Sequence, residues 1–125
     1  MRAQGAFLLC LMVLLAGCKL ELPAVDTGSI EHHEMVAGSD RVITGTLSES
    51  QVKALADWLR AHVTGWDYRI EDTALGLLVH LRRGAVPVVV VNILEGEIKV
   101  KDLFRALTPD ERATLLAIVE PTKSQ

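Results

Sequence analysis

The segment SESQVKALADWLRAHVTGWDYRI, Ser48 to Ile70, decides the fold, because the apolar period changes inside it. Ser48 stands as an N-cap with Gln51 three residues on, a capping box, and Val52, Leu55, Ala56, Leu59 and Val63 follow as a stripe at helical spacing. Gly65 sits where a C′ glycine ends a helix. Beyond it the period drops to two: Trp66, Tyr68 and Ile70 alternate with Asp67, Arg69 and Glu71, the pattern of a strand with one dry and one wet face.

Toward the C-terminus, Leu75, Leu77, Val79 and Leu81 continue as a strand, Arg83-Gly84 supplies a turn, and Val86 to Leu94 forms a third run. Glu95-Gly96 then turns into Ile98 to Lys101. Thr108 caps a second helix, with Pro109 at its first position, Glu111 completing a capping box, and Pro121 stopping it after Leu115, Leu116, Ile118 and Val119. Toward the N-terminus, Arg41 to Leu47 is β-branched and roughly alternating, a short first strand. The expectation is an α+β domain: an antiparallel meander of four to five strands with two helices, in the order β-α-β-β-β-β-α.

The run Val86 to Leu94 is apolar on both parities, with Val88 and Val90 on one face and Val89, Val91 and Ile93 on the other. Leu78, between Gly76 and His80, repeats the pattern. Such strands want cover on both faces. The expected arrangement puts one helix on each face; the alternative puts both on one side and leaves an apolar face for a partner or a second copy.

The chain has 125 residues and a formal charge of −3, from 16 acidic against 13 basic residues. That length suits one domain with its own core. Mild acidity gives no reason to bind nucleic acid, which requires clustered Lys and Arg. No glycine pattern opens a helix as a phosphate loop would, since Gly84 and Gly96 read as hairpin turns.

The N-terminus sets the address. Arg2 gives a positive start, and from Ala3 to Cys18 there is no charge, a Leu-rich run ending in Ala16 and Gly17. This is a signal peptide pattern. It falls short of the roughly 20 apolar residues that a spanning helix needs, and meets Lys19 and Glu21. Leu15-Ala16-Gly17-Cys18 resembles the lipobox of bacterial lipoproteins. The resemblance covers the export segment alone. It implies cleavage before Cys18, diacylglycerol on the Cys18 sulfur, acylation of the new amino group and a firm hold on a membrane. Lys19, where the inner-membrane retention signal of enteric bacteria would place Asp, points to the periplasmic face of the outer membrane in a Gram-negative host.

The expected organisation is a signal peptide over residues 1–17, a lipidated tether over 18–40 and one α+β domain over 41–125. Of the two cysteines, Cys10 would leave with the signal and Cys18 would carry the lipid, which excludes thiol catalysis and internal disulfides.

No residue declares a catalytic, metal or cofactor role. Glu31-His32-His33-Glu34 has the right chemistry for zinc, copper or nickel, but adjacent residues seldom converge on one ion, and here they read as solvated linker. His62 lies where a cation complements a helix C-terminus, and His80 lies in a strand. Trp58, Trp66 and Tyr68 cluster in sequence; parity with Ile70 assigns Trp66 and Tyr68 to the core face, the alternative being a binding platform. Arg82-Arg83 and Lys99-Lys101 read as a turn and as an edge strand kept soluble by charge.

The expected function is that of a lipid-anchored, non-catalytic interaction module, an accessory or immunity-type protein without cofactor or metal. Its partners would be the membrane, through the lipid, and an envelope protein or a second copy. Trp58, Trp66, Tyr68, Leu78, Val88 and Val90 are the candidate partner-binding residues. A small-ligand or lipid-binding module is the alternative, and a hydrolase ranks third.

Overall fold

The structure, a computed structural model, describes residues 19–120, so the expected signal segment and Cys18 lie outside the described residues. Among the described residues it is α+β, with two helices and one antiparallel sheet of seven strands. In chain order these are β1 (Thr27–Val36), β2 (Ser39–Thr46), α1 (Glu49–Ala61), β3 (Asp67–Tyr68), β4 (Leu77–Arg83), β5 (Val86–Ile93), β6 (Glu97–Val100), β7 (Leu103–Ala106) and α2 (Pro109–Ile118). Across the sheet the order is β2-β1-β4-β5-β6-β7-β3.

Both helices begin as their sequences dictate. The Ser48 hydroxyl accepts from the Gln51 amide while the Gln51 side chain accepts from the Ser48 amide, and Thr108 and Glu111 repeat the exchange at α2 with Pro109 in the first turn. At the other end α1 closes on His62 as its C-cap, ahead of Gly65, which takes its positive φ of 85° in the loop that follows.

The helices lie on the same side of the sheet. Val52, Leu55 and Leu59 of α1, Leu115 of α2 and Val119 share one core with Val79, Val91, Ile93, Ile98 and Val100. Gln51 ties the helices directly, donating to the Ile118 carbonyl at 3.1 Å and to the Glu120 carbonyl. The expected helix on each face is therefore corrected. An apolar side chain needs cover, but a backbone segment can supply it as well as a helix can.

That segment is residues 69–76. The reading of 66–70 as a strand beside 75–81 fails: β3 keeps two paired residues, Asp67 opposite Phe104 and Tyr68 opposite Leu103, at the far edge of the sheet. From there the chain crosses back over the outer face to β4. Arg69 lies 4.0 Å from the Phe104 ring centroid, Lys99 donates to the Glu71 carbonyl, and Asn92 accepts from the Gly76 amide and donates to the Ala74 carbonyl. The crossing is tight at its end, where a Cβ on Gly76 would collide with the Ile93 carbonyl oxygen. Asn92 itself is only 6% exposed.

The strand count is corrected as well. β1 and β7 were not expected, and β1 together with the start of β2 occupies residues assigned to the tether. The expected boundary at Arg41 falls inside β2. Within residues 19–26 the chain is also docked: Leu20 is 6% exposed and its amide donates to the Val63 carbonyl, while Leu22 and Val25 pack against the core.

Candidate functional site

Register places every outward side chain. On the outer face Glu31 stands opposite Leu78 and Leu78 opposite Asn92; one step along, Ser29 faces His80 and His80 faces Val90. Asn92 faces Lys99, which faces Phe104. The segment 69–76 covers the Asn92–Lys99–Phe104 end of this face. The end carrying Leu78 and Val90 stays open, with Val90 44% exposed and Leu78 half-buried, while Val88 falls at the register shift between Leu81 and Arg82 and packs half-buried against the core.

Two shallow depressions meet there. One, of about 410 Å³, is bounded by His80, Arg82, Pro87, Val88 and Lys101. The other, of about 330 Å³, is bounded by Asp72, Leu75, Leu78 and Lys99. Val90 and Lys101 border both, so the two form one trough with an apolar floor. Arg82, Lys99 and Lys101 outnumber Asp72 on its rim, which makes the trough basic on an acidic chain. Sequence reasoning missed these three as a set. Lys99 and Lys101 sit on and after the interior strand β6 instead of an edge, with Lys101 at a φ of 56° in the turn to β7. The shared parity of Arg82 with Leu78 was the available signal.

The structure thus brings Leu78, Val88 and Val90 together and separates them from the aromatic candidates. Trp66 is 2% exposed, with its indole N–H donating to the His62 carbonyl. Trp58 is 9% exposed and stacks on the His62 ring at 3.9 Å between centroids. Both are core residues, and His62 serves as a lid over Trp58 beside Glu111 and Arg105. Tyr68 is corrected the other way. Parity assigned it and Ile70 to the core, yet they are 60% and 79% exposed: Tyr68 pairs with Leu103 but on the two-residue edge strand, and Ile70 lies beyond the pairing.

The Glu-His-His-Glu run splits across the sheet, as alternation in β1 requires. His33 points to the outer face between Glu31, at 3.1 Å, and Asp40, at 3.2 Å, while His32 lies toward Glu34 on the other side. The Glu31 hydrogen bond, then that of Asp40, raises the His33 pKa above its usual 6.5. Both ring nitrogens are committed to these carboxylates, and among the described residues no group of three or more His, Cys, Asp or Glu could hold a metal. Ser29, the neighbour of His80, accepts a hydrogen bond from the Arg82 guanidinium at 3.0 Å, an arrangement for holding the strands together.

A third depression, about 440 Å³ and open to solvent, lies at the sheet end between Leu77, Ile93, Arg112 and Leu116, with His32 on its rim. The His32 Nδ1 atom there is buried without a hydrogen-bond partner. No family model, curated protein or solved structure matches the chain.

Proposed function

We propose that this chain is a lipid-anchored bacterial envelope protein whose domain acts without catalysis, holding a protein partner in the outer trough. The observation that carries the partner reading is the position of the helices. With both on one side, the outer face keeps Val90 44% exposed, with half-buried Leu78 beside it. The cationic rim fits a partner segment that sets carboxylates around an apolar contact.

Support for the anchor comes from Leu15-Ala16-Gly17-Cys18 and the uncharged run before it. Among the described residues no helix is long and apolar enough to cross a membrane. Leu20 in the core shortens the leash. At about 3.3 to 3.6 Å per residue, an acylated Cys18 would lie within roughly 7 Å of Leu20. The domain then rests close to the bilayer through its helix layer, where Leu20 meets Val63, and turns the trough away from it. In a Gram-negative host, Lys19 after the cysteine favours the periplasmic face of the outer membrane.

The test is capture from detergent-solubilised membranes with tagged native protein beside Cys18→Ser, recording intact mass on both. A lipid mass on the native chain alone, with one defined envelope protein captured, is the expected result. A chain that is lipidated but captured alone overturns the partner reading. It would favour the alternative of a small-ligand protein using the depression beside His32, whose volume lies in the usual ligand range of about 300 to 1,000 Å³. A native chain without lipid overturns the anchor.

A further inference from the structure

We propose that the free edge of β2 pairs with the same edge of a second copy of this chain, antiparallel and centred on Ile43, fusing two sheets into one. The two edges of the sheet are unlike. β3 offers only two residues, whereas β2 offers eight, aligned with β1 without a register shift. Natural edges are usually blunted by lysines, prolines or bulges. β2 has none of these: its charges, Asp40 and Arg41, sit beside the hairpin turn, and Val42 to Thr46 is uncharged.

Which groups face outward follows from the turn. Ala37 and Gly38 have φ of 53° and 81°, a two-residue type I′ loop, so the flanking pair Val36 and Ser39 exchanges hydrogen bonds. Alternation along the strand then points the N–H and C=O groups of residues 39, 41, 43 and 45 at β1. Those of Asp40, Val42, Thr44 and Thr46 point at the free edge.

A second copy fits these groups in one register best. Centred on Ile43, Val42 meets Thr44 of the second copy and Asp40 meets its Thr46, about eight backbone hydrogen bonds in all. Centring on Val42 instead would leave Thr46 without a strand partner and lose a quarter of them. In the Ile43 register Arg41 faces Gly45 and Asp40 faces Thr46, so no like charges meet. Opposed residues also share a face: Val42 and Thr44 both point outward, beside His33 and Glu31. The fused sheet therefore keeps both helix layers on a common side.

The pairing rests on the edge alone. Only its placement on one membrane rests on the lipid-anchor reading: because Leu20 leaves each domain from the helix layer, two anchors would enter the same bilayer, raising the effective concentration of the copies.

The test is sedimentation of the full processed chain in density-matched detergent, with intact mass recorded on the same samples. The native chain should sediment as a dimer in the micromolar range. Val42→Lys combined with Thr44→Lys sets like charges opposite each other in the Ile43 register and should raise the dissociation midpoint about tenfold with unchanged circular dichroism. Val42→Glu combined with Thr44→Lys sets opposite charges there and should restore the dimer. A monomeric native chain, or a dimer indifferent to both pairs of substitutions, overturns the proposal. So does a dimer that the mixed-charge pair disrupts as fully as the two lysines. The mass spectrum reports the anchor separately, so an unlipidated dimer counts against the anchor and not against the edge.

Discussion

Asn92→Ala should detach the segment that crosses the outer face. Asn92 is the one buried polar side chain among the described residues, at 6% exposure, and both of its polar atoms are used: Oδ1 accepts from the Gly76 amide at 3.0 Å and Nδ2 donates to the Ala74 carbonyl at 3.2 Å. Each such bond is worth about 0.5 to 1.5 kcal/mol net, and a group left unpaired in a buried place costs about 1 to 3 kcal/mol. Gly76 is half-buried and Ala74 exposed, so water recovers part of that loss, and the sum is about 2 to 3 kcal/mol. For a domain of this size that lowers the Tm by roughly 10 to 20 °C. Urea unfolding of the unlipidated chain gives the free energy, and hydrogen exchange at the Gly76 amide should accelerate with it. Asn92→Asp sharpens the test. It keeps the acceptor for Gly76 but turns a charged oxygen toward the Ala74 carbonyl, so burial raises its pKa in the folded state. Its stability should then be fullest below the ordinary carboxylate range and fall as pH rises through that raised value. A loss under about 0.5 kcal/mol for Asn92→Ala would refute the role given to this side chain.

Three further outcomes follow from single positions. Gly76→Ala drives a Cβ into the Ile93 carbonyl and should cost more than about 2 kcal/mol in urea melts, whereas Gly96→Ala, with open space around its Cβ, should stay within about 0.5 kcal/mol. Leu115→Ala, at a fully buried position that brings α2 into the core, should cost about 2 to 5 kcal/mol by the same assay; a smaller loss would mean that α2 is loosely held. The His33 ring should titrate above 6.5 by NMR, and Glu31→Gln should bring it down. Its contribution to the β1–β2 hairpin is present below 6.5 and lost as pH rises through the raised folded value, so a midpoint at or under 6.5 in the native chain would contradict the arrangement.

What the sequence made legible was local. Ser48 with Gln51 and Thr108 with Glu111 announce the helices because a cap and its partner lie three residues apart, and β4, β5 and β6 announce themselves by apolar runs between turns. β1 was hidden because, next to the edge strand, it buries only Gly28 and Ile30, spends most other positions on Thr, Ser, Glu and His, and leaves Met35 and Val36 exposed. Nothing local marks the pairing of β1 with β4 or of β3 with β7, since those partners lie far apart in the chain. Ile70 shows the cost of extending parity beyond real pairing, and Tyr68 that of assigning an edge-strand side chain to the core. For the candidate site, the doubly apolar β5 pointed to Val88 and Val90, and the same pattern in β4 to Leu78. The basic rim and the crossing segment depend on which strands become neighbours, and no window of sequence contains that.

The most direct test of the outer trough is quantitative capture of the partner from native membranes with two charge-altering variants, scored against the native chain. Val90→Glu puts a carboxylate on the open trough floor, and Lys53→Glu alters the solvated side of α1, where the native lysine is exposed and pairs with Asp57. Loss of the partner with Val90→Glu and its retention with Lys53→Glu is the result this account predicts. Retention with Val90→Glu and loss with Lys53→Glu would contradict it and place the interaction on the helix layer.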